Sequence, residues 1–509
     1  MSKKFDFLIA GSGFGGSLMG LILQRMGFSV AIVDRSSHPR FAIGESSTPL
    51  ADRTLADLCQ RYALPEIAPL TSYGCAKREL PQIKIGLKRG FSYFRQRVGQ
   101  EFSSLGGLGE RLLVAASNSD DTSDTHWLRS DVDHFFAQQA QQAGVRIFEQ
   151  TRIANIELDR QVWQVTIDDA GTETERLSAR FLIDASGPAA AIAERAHRLD
   201  RSPGQDNAAL ANDAHVFLTN SRALFGHFWG VTPWQQVLAE QGVSTEAYPF
   251  PCDHAALHHI IDGGWIWNLR FDHGITSVGV VLDCVSHRDI AHLPAAEQFW
   301  HIVRQYPSVE RQMRQTRCVA PPGGIRSTPR MQFLRPQTAG RTWVCLPSAA
   351  GFVDPLHSTG IAHTLHAISQ LSYIFQQTGI GTAEQMTRLD VYTSGLRQEF
   401  VLIDQLVSAA YRANGDFDAL VSATMLYFTA VTFSERNSST QPSLFLNAGN
   451  QQLTQCVQNC WAAIEACRNA QAEWAQLPSR VRHYIEPFNV AGLADDTLDN
   501  LYSHTYSPG

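Results

Sequence analysis

No Cys-x-x-Cys pair occurs in this chain, and its nine cysteines are odd in number and scattered. Disulfide frameworks and zinc ribbons need paired, closely spaced thiols, so reduced, buried cysteines in a cytoplasmic setting are expected instead. Cys456 and Cys460 share a helix face, but no metal site is expected around them. Basic excess is missing too: 42 lysines and arginines face 49 acidic residues, a formal charge of −7. That balance argues against nucleic acid or an anionic membrane surface as partner. No uninterrupted apolar run of bilayer-spanning length is evident, so no membrane span is expected. The apolar N-terminal stretch carries Asp6 and enters a glycine-rich turn, which makes it a first strand and helix and not a signal peptide. Internal repeats and low-complexity tracts are absent.

What is present is a long chain of mixed patterning. Its 509 residues exceed what one core usually serves, so two or three cooperating modules are expected. "FDFLIAGSGFGGSLMGLILQRMGFSVAIVDR" reads as strand, glycine turn, helix and buried strand. A second helix is expected over 48–63. "WLRSDVDHFFAQQAQQAG" predicts another, with Ser130 or Asp131 near its start and Gly144 after its end. Short runs between 146 and 184 predict strands, some in hairpins, and 210–330 predicts a second, aromatic-rich sheet. From about 361 the pattern turns helical, over 384–412, 419–434 and 450–475, and the last dozen residues suggest a loose tail.

Gly11, Gly13 and Gly16 form GxGxxG between a strand and a helix. The first permits a tight turn, the second admits a pyrophosphate against the backbone, and the third lets helix and strand pack closely. Asp34 ends the next strand, where a carboxylate accepts hydrogen bonds from an adenosine ribose. Turn and carboxylate together predict one dinucleotide site, and no second GxGxxG supplies a nicotinamide module.

After that turn come "FAIGESSTP", "WLRSDVDHFF", "FLIDASG" and "LPSAAGFVDPLHSTGIAHTLHA". This order resembles the FAD-dependent monooxygenase superfamily from residue 5 to about 370. The resemblance implies an α/β fold with a discontinuous FAD-binding Rossmann-like domain (1–75, 110–200 and 330–370). An inserted mixed β-sheet substrate domain (76–109 and 201–329) and a helical C-terminal region (371–509) complete it. It also assigns flavin contacts to Gly11, Gly13, Gly16, Asp34, Glu45, Ser46, Arg129, Asp184, Asp354, Gly360 and Ile361. Many flavin monooxygenases carry Gly-Asp where this chain has Pro347 and Ser348, which turns the resemblance away from the usual hydroxylases.

Three segments resemble the flavin-dependent halogenases within that superfamily. "GWIW", Gly264 to Trp267, resembles the start of their GWxWxIP signature; "KRGFSYF" resembles the strand carrying their essential lysine; "DPLHSTG", 354–360, resembles their halide loop. The resemblance implies that reduced FAD from a separate flavin reductase, with O2, oxidises chloride or bromide to hypohalous acid. That oxidant reaches an aromatic substrate by way of the lysine, here Lys88. Thr359 and Gly360 would hold halide, His357 and Ser358 would assist, and Trp265 and Trp267 would wall the passage.

Plainer readings stand beside these: Lys88 as a solvated strand lysine, the two indoles as core. Lys77 and Lys84 lack the following glycine and aromatic run. Two departures narrow the substrate. The signature ends Asn268, Leu269, Arg270 in place of Ile-Pro, and His357 stands where halogenases of free tryptophan have a glutamate. A phenol or pyrrole activates its own ring, so an electron-rich substrate of that kind, free or tethered to a carrier protein, is expected. Phe225, Phe228, Trp229, Trp234 and the helical stretch 411–433 are candidates to enclose it. The alternatives are an FAD-dependent aromatic hydroxylase, a prenyl-chain reductase and a non-enzymatic flavin carrier.

Overall fold

The computed structural model describes residues 3–102, 110–169, 174–200, 217–437, 443–470 and 474–503. Parts of the expected sheet region (103–109 and 201–216), the end of the 450–475 helix and the extreme tail lie outside them.

The N-terminal apolar runs build a sheet whose centre is Lys3–Ala10. Val30–Val33 and Thr174–Asp184 pair with it in parallel on either side, and Arg146–Phe148 and Trp343–Cys345 extend it in the same sense. The hairpin of Thr151–Asp159 and Val162–Asp169 continues it antiparallel. Val30–Val33 is buried at every position, as a strand covered on both faces must be. The helix Phe14–Arg25 lies against this sheet, buried from Phe14 to Leu23. The glycine turn explains the closeness. Gly11 has φ +98°, and a Cβ there would meet the Ala185 carbonyl at 2.6 Å; one on Gly16 would stand 2.0 Å from the Gly11 carbonyl. Gly16→Ala is therefore expected to push the helix off the strand and abolish flavin retention. Absorbance after desalting measures this, and wild-type retention would refute it.

The second sheet joins segments far apart in sequence. Its order is Arg317–Ala320, Ser221–Trp229, Ile275–Asp283, Gly264–Arg270, Ala256–Ile261, Gly90–Arg95, Arg111–Ala115 and Leu501–Tyr502. It is mixed: Gly90–Arg95 runs parallel to Ala256–Ile261, and most other pairs are antiparallel. Because strand side chains alternate, register sorts them by face. One row across the sheet reads Phe225, Gly279, Trp267, His258, Tyr93. That face looks toward the flavin module and the C-terminal helices. The other carries Phe228, Ile266 and Val278 against the helices Ala295–Val303 and Pro307–Met313. A separate two-stranded ladder pairs Ile85–Lys88 with Asp124–Trp127.

Helices Thr359–Gln377, Ala383–Ala413, Phe417–Arg436, Gln451–Ala470 and Leu477–Ile485 complete the chain. Phe417–Arg436, expected as a helix over 419–434, is the one described helix long and apolar enough to cross a bilayer. It qualifies by length and composition, but 78% of its apolar window is buried within the protein. The tail is corrected: Leu501–Tyr502 is a strand on Arg111–Ala115, with Tyr502 buried. Neither Ser130 nor Asp131 caps the helix Arg129–Gln142, because Leu128 is its N-cap and both lie inside the first turn. Asp131 instead accepts the Lys84 amide. All nine cysteines are free thiols.

Candidate active site

The dinucleotide end gathers Gly11, Gly13, Gly16, Asp34 and Arg129. Asp34 Oδ2 accepts from the Ser12 amide at 2.7 Å and from Arg40 at 2.9 Å. Burial pushes its carboxyl up, but Arg40 and the Ser12 and Ser36 amides outweigh that and hold it below its ordinary value, ionised. Arg129 binds Asp133 and the Ile43 and Gly44 carbonyls, and Asp133 accepts the first helical amide, Phe14 N. The guanidinium groups of Arg129 and Arg40 both come within 4 Å of where a Cβ on Gly13 would stand, at 3.8 and 3.9 Å. Two cations beside a helix N-terminus whose first amide Asp133 holds, with the ionised Asp34 beyond, suit a pyrophosphate and its ribose. These residues fit FAD. Asp133 and Arg40 are additions, since no motif marks either.

Asp184, Glu45 and Asp354 have protein partners. Asp184 accepts from Ser186, Ile192 and Ala193, and Glu45 pairs with His227 at 2.6 Å. Asp354 accepts from Leu356, Ser221 and Tyr411. In the chain itself these three carboxylates brace turns and strands. Ser46 is buried, pairs with His126 in a short bridge and leaves its hydroxyl without a protein partner.

Lys88 is not a solvated strand lysine: it is 0% exposed, whereas Lys77 and Lys84 lie at the surface. Its ammonium donates to the Ser47 carbonyl, sits 3.6 Å from Asp124 Oδ2 and lies 4.2 Å over the Phe91 ring. The ladder register places Asp124 directly opposite Lys88. Burial drives Lys88 below its ordinary value against the opposing pull of Asp124 and Asp52. A buried amine with so short a reach is a nucleophile when neutral.

From Phe91 the wall continues ring by ring. Phe91 packs edge-on to Phe428 at 5.3 Å, Tyr93 stacks on His258 at 4.7 Å, and His258 meets Trp265 at 5.1 Å. Trp265 and Trp267 stand 5.9 Å apart on the same face, with Phe225 beyond. Trp267 has room only because Gly279 opposes it. Trp265 Nε1 donates to Tyr411, whose hydroxyl donates to Asp354, so one indole is tied to the segment 354–360. Of the other aromatics proposed to enclose a ring, Phe228 faces the opposite core, Trp234 is buried in a third cluster, and Trp229 is 52% exposed. Tyr427 and Phe428, from the stretch 411–433, join this wall with Tyr93 and His258. Period-2 alternation in "GFSYFR" would have found Tyr93 beside Phe91; nothing local marks His258.

The loop 354–360 ends in Ser358, left-handed at φ +55°, which starts the 19-residue helix Thr359–Gln377. Thr359, Gly360 and Ile361 thus head a helix whose first amides have no intrahelical acceptor and whose dipole favours an anion. Gly360 is exposed, and a Cβ there would meet open space. His357 is buried, stacked on Tyr427 at 4.0 Å, and Tyr427 donates to its carbonyl at 2.7 Å. Burial, with His258 nearby, lowers its imidazole to about 3, so it is neutral at working pH.

Comparison with known proteins agrees with this geometry. The tryptophan halogenase family profile matches residues 125–420, and an FAD-binding domain profile matches 4–216. The chain is 32% identical over 380 residues to tetracycline 7-halogenase of Kitasatospora aureofaciens, covering 73% of this chain and 63% of that protein. It is 30% identical over 428 residues to monodechloroaminopyrrolnitrin halogenase PrnC of Pseudomonas fluorescens, covering 82% and 69%. The match thus spans about two thirds of those relatives' lengths. In fold it resembles halogenase PltM solved with phloroglucinol and FAD, at TM-score 0.82 and 20% identity over 98% of this chain and 99% of that one. The glycine turn, buried lysine, paired indoles and anion-favouring helix start therefore sit in a chain that belongs to the tryptophan halogenase family of flavin-dependent halogenases.

Proposed function

We propose that this protein uses reduced FAD, O2 and chloride or bromide to halogenate an electron-rich aromatic ring, phenolic or similar, with Lys88 delivering the halogen. The observation that carries the reading is a fully buried lysine at the head of an aromatic wall, with the anion-favouring start of Thr359–Gln377 in the same site. Bound along Gly11, Gly13, Gly16, Asp34 and Arg129, reduced FAD with O2 supplies the oxidising equivalents that turn halide into hypohalous acid. The Thr359 and Gly360 amides hold the halide. Trp265 and Trp267 exclude water and keep the aromatic substrate apart from the flavin. Lys88 takes the electrophilic halogen, and the rings of Tyr93, His258, Tyr427 and Phe428 hold the substrate face.

The neutral His357 suits a phenol. A buried imidazole accepts the phenolic proton's hydrogen bond and raises electron density on the ring, as a tryptophan-type glutamate does not need to. Relatives support this substrate class by their names: tetracycline 7-halogenase, a 1H-pyrrole-2-carbonyl-[peptidyl-carrier protein] chlorinase, and PltM with phloroglucinol. With no second nucleotide motif, a separate flavin reductase is the source of reduced FAD.

The purified protein with FAD, a flavin reductase, NADH and O2 is given chloride, then bromide, over a phenol, indole and pyrrole panel. Mass spectra are expected to show halogen isotope patterns on the phenol, with the halogen following the salt supplied. Hydroxylated product irrespective of halide would replace this reading with an aromatic hydroxylase.

A further inference from the structure

Lys88 is enclosed by more acid than one ammonium can neutralise. Asp124 faces it across the ladder, Asp52 comes from the first turn of Pro49–Tyr62, and Glu435 from the end of Phe417–Arg436. All four are buried, between 0 and 7% exposed. Three carboxylates against Lys88 and the more exposed Arg53 would still leave a net negative charge in a water-poor chamber, which is costly. The cluster must therefore hold protons beyond the one on Lys88.

Its surroundings reinforce this. Ser47 donates to Asp52 and its carbonyl accepts from Lys88, so Asp52 and Lys88 are tied through one residue. Arg53 donates to the Glu435 carbonyl. His126 and His258, the remaining titratable neighbours of Lys88, are held neutral by burial, each lowered to about 3. Tyr427 is kept protonated by burial and by Glu435 and Asp124. Asp124 Oδ2 stands 3.6 Å from Lys88 Nζ, near enough for a small shift of either side chain to pass a proton.

We propose that Asp124, sharing its proton with Asp52, is the acid–base partner of Lys88 in halogen transfer, with Glu435 as the outer proton store. This rests on the halogenase reading. As hypohalous acid arrives, the Lys88 ammonium gives a proton to the ionised Asp124. The neutral amine then attacks the halogen: N–X forms, O–X breaks, and hydroxide leaves with an amine proton as water. When the arene attacks, C–X forms and N–X breaks, and the protonated Asp124 returns its proton to the lysine nitrogen. The cationic ring loses its own proton, which passes by way of the acid pair to the lysine amine, restoring the aromatic product, the resting ammonium and the ionised Asp124. The halogen is the only oxidant, supplied as hypohalous acid, and no electrons are unaccounted for.

The carboxyl levels agree: burial raises Asp124 to about 6 against the opposing pull of Lys88, and raises Glu435 to about 8 with Asp124 adding. Asp124 is a positioning and proton-holding residue, acting through Lys88. The test is Asp124→Asn, with Asp124→Glu as conservative rescue and Asp52→Asn as a second, independent removal. Each is assayed for flavin retention, for hypohalous acid trapped by monochlorodimedone, and for arene halogenation from pH 5 to 9. Expected are wild-type flavin retention and trapped oxidant, with arene halogenation down roughly 10²-fold. The limb on which wild-type halogenation falls as pH drops toward 5, where Asp124 becomes protonated, should be lost in Asp124→Asn and partly restored in Asp124→Glu. Should Asp124→Asn fail to fold, Asp52→Asn must show the same flattened limb. Wild-type arene rates and an unchanged pH profile in the folded variants would overturn the proposal. A wild-type protein that forms no halogenated product would instead overturn the halogenase reading itself.

Discussion

Lys88→Ala is expected to lose arene halogenation by roughly 10²–10⁴-fold while still binding FAD and still oxidising halide. The amine is the only fully buried ammonium beside the aromatic wall, and its contacts are with the chamber: the Ser47 carbonyl, Asp124 and the Phe91 ring. Asp34, Arg129 and the glycine turn make their contacts elsewhere, so the dinucleotide end does not depend on it. Removing one partner of a buried ion pair commonly costs about 3–5 kcal/mol when the other charge is stranded. Here the stranded groups are carboxyls that burial already raises, and they can take up protons instead. Folding should survive at neutral pH, with a small loss of thermal stability that grows as pH rises and Asp124 is forced to ionise. Product by mass spectrometry, flavin absorbance and thermal melting separate these effects. Undiminished halogenation in Lys88→Ala would remove the lysine from the mechanism.

The residues legible in sequence were those whose chemistry is local. The glycine turn needs only its own spacing and one strand, so Gly11, Gly13, Gly16 and Asp34 are readable from thirty residues of text. Lys88 was readable because a glycine and an aromatic run follow it closely in sequence, although the structure puts them on a separate strand, Gly90–Arg95. Asp124 was not: it reaches Lys88 only through antiparallel register, and its own neighbours in "SDDTSDTHW" look like any acidic turn. Glu435 lies more than three hundred residues away and enters by helix packing, which no short window contains. Helix Phe417–Arg436 is readable from its pattern, yet composition alone does not separate a core helix buried on nearly every side from a membrane span. The Leu501–Tyr502 strand escaped because two residues carry no periodicity; its existence is decided by the open edge of Arg111–Ala115.

Gly279→Ala is expected to be a damaging small substitution in the second sheet, and it decides what the paired tryptophans do. A Cβ at 279 would stand 2.2 Å from the Trp267 indole, so the ring must leave its place. It has little freedom to do so. Its Nε1 is held by Ser277 at 3.1 Å, Trp265 stands on one side and Phe225 on the other. Overpacking of this kind costs about 1–3 kcal/mol, read as a lowered melting temperature. If Trp267 were only core, activity would fall no further than folded protein does, and the halogen would still reach the arene. A tunnel wall behaves otherwise: displaced, it opens a path to water, so oxidant trapped by monochlorodimedone should rise as arene product falls, at a temperature where the variant remains folded. Trp267→Phe supplies the control, since it keeps an apolar ring while relieving the clash, and in the Gly279→Ala background it should restore stability before it restores coupling. Equal losses of trapped oxidant and product in Gly279→Ala would return both indoles to plain packing.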